Sequence, residues 1–303
     1  MEKKIIPFKQ SKEEVLQLWN NQVKQFDEVT RIDIEEELRI VHDNCSSDTN
    51  EFLGPWIVML DESLHFILLL YKFCWNSRKT NIEIPVTLVM LLARSCSHIV
   101  AIRKLITEGL EDCARTVSRS FVETIDLMIV SLLDKDFSDQ YFAEELDEDE
   151  FWKKNIAYGR IYKKIETIIE SAGIDEEERD RFLNHRREIK SVLSSAVHSS
   201  TTSAFRSMFI PSLKHSGKLS TSVLGHVSVH SPSHLGLIIT NIYYFGSIFM
   251  KLLTSDQLPM FPDSVKNNSY FQNVSASFFL LQDLVTEHYE EYLFMEIEFP
   301  EEE

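Results

Sequence analysis

Apolar residues recur at helical spacing over most of the chain, in long segments separated by short polar turns. Ser11 and Glu14 form a capping box, so we expect a helical segment to begin there and to run, with a break near residues 29–31, towards His42. The polar residues 45–54 predict a connection after it.

Two nearly all-apolar segments follow, each opened by a proline that suits the first turn of a helix. Pro55 precedes residues 56–75, and Pro85 precedes a segment that reaches about Thr107. The next apolar segment, residues 109–135, begins after a tight join. The pattern therefore predicts an antiparallel pair of helices on either side of that join.

The second half of the chain has the same character. An amphipathic helix is expected to end at Gly173, and another to begin at Asp175. Ser231 is a plausible N-cap for a buried helix that reaches Leu253, and a last helix is expected over residues 270–294.

These segments predict an all-α fold, a globular multi-helix array of about eight or nine helices. Gly and Pro number only 8 each, and this shortage of turn residues favours long helices over many short strands. The alternating segment GHVSVH allows at most a short extended stretch near residues 222–230. We expect an N-terminal helical layer over residues 1–76, packed with a helical bundle over residues 77–303 as one globular unit.

Charge and cysteine content narrow the function classes. The net charge of -17 would repel a polyanion over most of the surface, which disfavours broad binding to nucleic acid or to an anionic membrane. The 4 cysteines are widely spaced, as expected for free thiols in a reducing compartment. The amino terminus lacks a secretory pattern, and residues 235–250 fall short of the roughly 20 apolar residues that a membrane span needs. We therefore expect a cytoplasmic protein with no membrane contact.

The segment between Glu188 and Asp256 contains no acidic residue but has the cations Lys190, Arg206, Lys214, Lys218 and Lys251, and it is rich in serine and histidine. Hydroxyls, helix-end amides and cationic side chains bind phosphate and carboxylate, so the segment predicts an anion site. The candidate ligand-binding residues are Ser194, Ser195, Arg206, Lys214, Lys218, His226 and His230. Alternatively, half of the segment is a buried helix, from which burial excludes acids, and the rest is a solvated loop.

Three histidines, His226, His230 and His234, are four residues apart, but Pro232 interrupts the run and no acid or cysteine is near. We interpret them as a surface cluster and predict no metal site. The common nucleotide and nucleophile motifs GxxxxGK[ST], GxGxxG, GxSxG and HExxH are also missing, so no cofactor is predicted.

A polar stripe at helical spacing, Arg115, Arg119, Glu123 and Asp126, crosses an otherwise apolar segment. Arg119 and Glu123 are four residues apart and can pair along a helix. If the stripe faces inward, its charges need further partners such as the His198 ring, and the group could perform acid–base chemistry. The candidate catalytic residues are then Arg119, Glu123 and His198. Otherwise the stripe is exposed and forms weak salt bridges.

The segment GLEDCARTVSRSFVETIDLMIVSLL, followed by an acidic link, an amphipathic helix and LSSAVHSS, resembles an uncharacterised bacterial all-helical family. Members have an Arg-Ser-x-x-Glu helix and a later Ser-x-x-x-His helix end, and the similarity covers about residues 85–200. The matched positions are Arg119, Ser120, Glu123, Ser194 and His198. The family is distantly similar to helical ribonuclease and abortive-infection modules, which implies a role in bacterial antiviral defence. Those modules place Arg and His on one helix, whereas here Arg119 and His198 would converge from separate helices.

The sequence leaves three functions open. The first is a helical binding or sensing protein that contacts an anionic ligand, a nucleic acid or nucleotide, or a protein partner through the acid-free segment. The second is a metal-independent ribonuclease-like effector, in which His198 is the general acid or base and Arg119 stabilises the phosphate. The third is a structural subunit of a larger complex. A protein partner or a homo-oligomer is expected.

Overall fold

The computed structural model describes residues 8–24, 31–77, 84–143, 147–197, 209–214, 219–221, 224–255, 257–258 and 269–288. This part of the chain is all-helical in class, as the sequence predicts. Its helices are α1 Phe8–Val23, α2 Ile34–Phe52, α3 Gly54–Ser77, α4 Val86–Thr107, α5 Glu111–Ser131, α6 Lys135–Tyr141, α7 Glu148–Asn155, α8 Arg160–Ser171, α9 Glu176–Val197, α10 Ser231–Thr254 and α11 Ser269–His288.

The helices slightly outnumber the eight or nine predicted. One reason is a break in the amphipathic segment that was expected to form a single helix ending at Gly173. Tyr158 (φ 58°) and Gly159 (φ 76°) adopt the left-handed conformation, which a continuing α-helix does not allow. The segment therefore forms α7, a short 3-10 turn over Ala157–Gly159, and α8.

Helix α5 lies at the centre of the packing. It packs along α4, as the tight join predicted, and also contacts α8, α9 and α10. Its apolar side chains Phe121, Ile125 and Ile129 are completely buried. Because helices pack on several sides of α5, its polar side chains can contact residues of different helices. The candidate site described below is built on α5.

Helix α10 is buried between α3, α5 and α11. Gly246 allows the close approach of α11, because a Cβ atom at this position would lie 2.6 Å from the Phe278 ring. Ser231 is the first residue of α10 and His230 is its N-cap, one residue before the predicted cap. The cap position differs because the Ser231 hydroxyl is used elsewhere, as a donor to Glu111.

Extended structure in the described residues is confined to the segment before α10. β1 Phe209–Pro211 pairs antiparallel with β2 Leu219–Thr221, and Ser212 forms a single bridge with Ser228. Only the bridge falls within residues 222–230, where a short extended stretch was expected.

The connection predicted at residues 45–54 was wrong, because α2 continues as a helix to Phe52. Its polar residues are not all solvated: Asp48 and Thr49 are buried, and Asp48 faces the Lys214 ammonium at 3.2 Å. Tertiary contacts therefore override the turn-like composition of this segment.

The contacts within the chain divide it into residues 1–40 and 41–303. Among the described side chains from Lys12 to Ile40, all except Lys12 and Trp19 are exposed. All of the buried core that the described residues form lies within residues 41–303. The division at residue 76 that the sequence suggested stays a prediction.

Two helices, α4 and α10, are long and apolar enough to cross a membrane by length and composition alone. The bent pair α2 and α3 would pass the same test if it were one span. Within the protein α10 is largely buried and α4 less so. The expectation of a cytoplasmic protein without membrane contact stays a prediction.

Candidate functional site

Asp126 is the most deeply buried member of the polar stripe on α5. Its side chain is fully covered, in a part of the helix where Val122 and Ile125 are also buried. Desolvating a carboxylate costs several kcal/mol unless opposite charges and hydrogen bonds compensate. The stripe faces inward at this point, and two other helices supply the compensating groups.

Arg186 of α9 is the principal partner of Asp126. It is 1% exposed, and its Nη2 donates to Asp126 Oδ1 and, at 2.8 Å, to the Val122 carbonyl. Its Nη1 donates to Asn241 Oδ1 on α10, and its guanidinium carbon lies 5.5 Å from the Phe182 ring centre. This one side chain therefore ties α5, α9 and α10 together.

Lys190 lies one turn after Arg186 on the same face of α9. Its Nζ is 2.5 Å from Asp126 Oδ2 and 5.0 Å from the centre of the Tyr162 ring. One carboxylate is thus shared by two cations. We call Asp126, Arg186, Lys190 and Asn241 the Asp126 cluster; it keeps one positive charge in excess.

A cavity of about 350 Å³ adjoins the Asp126 cluster. We call it the Arg94–Lys190 cavity. Its lining residues are Arg94, Glu123, Leu127, Tyr141, Phe151, Trp152, Ile156, Ile161 and Lys190. Its volume is near the lower end of the range of about 300–1,000 Å³ that is typical of ligand sites, and its lining combines an apolar wall with a few charged groups, as such sites do.

Arg94 of α4 supplies a second cation to this cavity. Its Nη2 donates to the Ser120 hydroxyl at 3.1 Å. Among the residues that the structure describes, no carboxylate forms an ion pair with it. Its charge, with burial as the larger cause, lowers the pKa of His98 to about 4. The guanidinium at the cavity is therefore available to an anion.

A second cavity, of about 480 Å³, lies between the start of α6 and α8. Its charged lining residues are Asp134, Lys135, Asp136 and Lys164. Lys164 Nζ is 2.5 Å from Asp134 Oδ2. The charges of this cavity balance, so it offers less to a charged ligand than the Arg94–Lys190 cavity does.

The structure brings three of the candidate residues together where α5 meets α9. Arg119 and Glu123 pair along α5 at 3.0 Å, as their spacing predicted. Arg119 Nη1 and Ser194 Oγ both donate to the Lys190 carbonyl, at 2.9 and 2.6 Å. Both guanidinium ends of Arg119 are thus engaged, and Glu123 is the member that lines the cavity.

A second buried polar cluster lies nearer the start of α5. Glu111 Oε1 accepts from Arg115 at 2.7 Å, and its Oε2 accepts from the Ser231 hydroxyl at 3.2 Å. Ser118 Oγ lies 2.7 Å from His234 Nε2 and itself donates to the Ala114 carbonyl at 2.9 Å. The Ser118 oxygen therefore accepts from His234 Nε2–H. We call Glu111, Arg115, Ser118, Ser231 and His234 the His234 cluster.

The two titratable groups of the His234 cluster shift in the same direction for different reasons. Burial would raise the pKa of Glu111, but the Arg115 charge and hydrogen bonds, including one with Ser228, hold it below its ordinary value. Burial lowers the pKa of His234 to about 4. Glu111 is therefore charged and His234 neutral at pH 7, and the Glu111–Arg115 pair leaves the cluster without net charge.

The cations of the acid-free segment are largely paired within the described residues. Lys190 faces Asp126, Lys214 faces Asp48 at 3.2 Å, and Lys251 faces Glu178 at 3.5 Å. The excess of cations along the sequence is therefore mostly neutralised in space by acids from other helices.

The remaining candidate residues are placed as follows. The His226 amide donates to the Gly109 carbonyl at 3.0 Å, and His230 is the exposed N-cap of α10. His226 therefore lies beside the turn before α5. His198, Arg206 and Lys218 and the side chain of Ser195 lie outside the described residues.

Sequence reasoning missed Arg94, Trp152 and Arg186 as members of a site. One signal was available: Asn241 stands in a long apolar helix, and a buried amide needs a partner. That partner is Arg186, 55 residues away. For Arg94 and Trp152, which helical spacing does not distinguish from ordinary surface residues, the sequence gives no such signal.

Within the described residues, no three His, Cys, Asp or Glu side chains come close enough together to hold a metal ion. The chain matches no protein-family model, no curated protein and no solved structure.

Proposed function

We propose that this protein binds, and thereby senses, a small anionic ligand in the Arg94–Lys190 cavity. The observation that supports this function is the state of the two cations there. Arg94 has no carboxylate partner among the described residues, and Lys190 shares Asp126 with Arg186. An anion that enters the cavity would meet uncompensated positive charge over an apolar wall.

The excess of positive charge at the cavity contrasts with the negative net charge of the chain. With a net charge of -17, most of the surface repels anions, and screening limits that repulsion to about 8–10 Å at physiological salt. Inside a partly closed cavity the interaction with nearby cations is stronger, because the effective dielectric is lower than in water. The cavity is thus the described part of the molecule best suited to an anion.

The site differs from the one that the sequence suggested. The leading hypothesis placed the anion at the serine- and histidine-rich segment, whose described cations Lys214 and Lys251 face carboxylates. The binding function is therefore assigned to the cavity, to which this segment contributes Lys190. A place in a bacterial defence system, and a protein partner or homo-oligomer, stay predictions.

Binding is favoured over the ribonuclease hypothesis by the contacts of Arg119. Both ends of its guanidinium are held, one by Glu123 and the other by the Lys190 carbonyl, so Arg119 is occupied with contacts inside the protein. A direct assay distinguishes the two functions. Wild type and His198→Ala should leave total RNA equally intact; cleavage by wild type alone would favour the enzyme.

The binding function is tested by thermal unfolding in the presence of three probes, benzoate, phenyl phosphate and adenosine 5′-monophosphate. At least one should stabilise the wild-type protein, since a ligand that binds only the folded state raises its stability. Arg94→Gln should abolish that stabilisation. Arg103→Gln, on the same helix but paired with Asp61 away from the cavity, is the matched control and should retain it. Equal stabilisation of all three proteins would contradict the proposal.

A further inference from the structure

We infer that the ligand of the Arg94–Lys190 cavity is a planar aromatic ring system, of one ring or two fused rings, that carries a single anionic group. This inference rests on the proposed function and names the chemical class of its ligand. It comes from the part of the cavity lining that the charge argument does not use.

The wall of the cavity that carries no charge is apolar and partly aromatic. It consists of Leu127, Tyr141, Phe151, Trp152, Ile156 and Ile161. Phe151 and Ile161 are buried and form its fixed part. The Tyr141 and Phe151 ring centres lie 5.5 Å apart at 70°, and Phe137 supports Phe151 from behind at 5.3 Å. Tyr141 and Phe151 are therefore held in place by ring contacts.

Trp152 is the part of this wall that remains open. It is 49% exposed, although it belongs to a cavity with buried neighbours. A large aromatic side chain gains most from burial against another flat apolar surface, and ring pairs add to that gain through offset or edge contacts. The open indole therefore favours a planar ring over a flexible chain.

The size and charge of the cavity limit the rest of the ligand. A volume of about 350 Å³ is near the lower end for ligand sites, which suits one ring or two fused rings and excludes a polymer segment. Arg94 can hold one anionic group through two parallel N–H donors, and Lys190 can contact it as a point charge. Glu123, also in the lining, disfavours a second negative charge on the ring.

The inference is tested by isothermal titration with four probes that separate its parts. 2-Naphthoate has the ring and one charge, acetate has the charge alone, 2-naphthylmethanol has the ring alone, and cyclohexanecarboxylate has a non-planar apolar body with the charge. 2-Naphthoate should bind at least about tenfold more tightly than each of the others, as expected when ring contacts and an ion pair both contribute.

Two substitutions, at tryptophans of nearly equal exposure, test whether the ring of the ligand contacts Trp152. Trp152→Leu should weaken 2-naphthoate about tenfold and leave cyclohexanecarboxylate unchanged, because leucine keeps an apolar surface but no ring. Trp75→Leu is the control, since Trp75 is 48% exposed but stacks on Tyr71 outside the cavity; it should bind all probes as wild type does.

The outcomes separate this inference from the function it rests on. If anions bind and depend on Arg94, but 2-naphthoate and cyclohexanecarboxylate bind equally in wild type and in Trp152→Leu, the aromatic class is wrong and the binding function stands. If no probe binds, in this titration or in the thermal assay, both are overturned. Tighter binding of 2-naphthyl phosphate than of 2-naphthoate would overturn the assignment of a single negative charge.

Discussion

The Asp126 cluster and the His234 cluster are both built on α5, and they solve the same problem in different ways. Each surrounds a buried carboxylate with a partner arginine and hydrogen-bonding groups from α10. The His234 cluster is electrically balanced, and all of its members are buried except Arg115, which is partly buried. The Asp126 cluster holds two cations for one carboxylate and adjoins a cavity.

The difference shows how a buried charge can be assigned to structure or to function. In a cluster whose charges balance, the cost of burying each charge accounts for its partners, and no uncompensated charge is left for a ligand to bind. An unbalanced cluster beside an open cavity keeps an interaction that only a further group can complete. The first kind should matter to stability alone, and the second to both stability and binding.

The largest expected effect is the loss of Asp126. Asp126→Ala leaves the buried Arg186 and the partly buried Lys190 without a counter-charge, so the free energy of unfolding should fall by about 3–5 kcal/mol. Urea denaturation measures this value. Asp136→Ala, an exposed aspartate on α6, is the control and should change it by less than about 0.5 kcal/mol. A loss below about 1 kcal/mol at Asp126 would show that the cluster is solvated.

The second-largest expected effect is the loss of stability at low pH that His234 causes. The pKa of His234 is about 4 in the folded protein against 6.5 ordinarily, so the unfolded state binds more protons between these values. Stability from this group is complete above pH 6.5 and falls by up to about 1.4 kcal/mol per pH unit towards pH 4.

Comparing wild type with His234→Gln isolates this contribution. His98 and His185, whose pKa values burial also lowers, contribute equally to both proteins. Urea denaturation at a series of pH values should therefore give a shallower acid slope for the variant. Parallel slopes would mean that His234 is protonated as readily in the folded state as in the unfolded one.

A smaller effect is expected from the Ser118 hydroxyl, which accepts from His234 Nε2. Ser118→Ala removes the acceptor of His234 Nε2–H and should lower the free energy of unfolding by about 1 kcal/mol. Ser97→Ala is matched to it, because the Ser97 hydroxyl also donates to its own helix but is exposed. Chemical denaturation should show no loss of unfolding free energy for Ser97→Ala. Equal losses for the two variants would mean that the hydrogen bond with His234 does not contribute to stability.

The smallest effect on stability is expected at the residue most important for binding. Arg94 is exposed and without an ion-pair partner in the described part of the chain, so Arg94→Gln should change the free energy of unfolding by less than about 0.5 kcal/mol. Loss of ligand binding with unchanged stability would sharpen the contrast with Ser118. A loss above about 1.5 kcal/mol would make Arg94 structural.

The sequence predicted the features that depend on near neighbours. Helical spacing identified α3, α4, α5 and α10, and the four-residue interval identified the Arg119–Glu123 pair. It failed where distant groups decide. The polar residues at 45–54 have the composition of a turn, but Asp48 forms an ion pair with Lys214, which is distant in sequence.

The candidate site shows the same limit. The polar stripe on α5 could be recognised, but whether it faces inward was left open, because the partner of Asp126 comes from α9, 60 positions later. The sequence has an excess of cations between Glu188 and Asp256, yet in the structure Lys214 and Lys251 each face a carboxylate of another helix, and Lys190 shares Asp126 with Arg186. A run of cations in the sequence therefore does not establish a positively charged surface. The packing of the helices decides which acids pair with those cations.

The exposure of the described side chains of α1 has a consequence for hydrogen–deuterium exchange. Amides protected only by their own helix exchange through local openings of small free energy, whereas those in a packed core need nearly global unfolding. The described side chains from Lys12 to Ile40 are almost all exposed, and α10 is almost fully covered. Amides of α1 should therefore take up deuterium within seconds, while those of α10 keep their protons for hours.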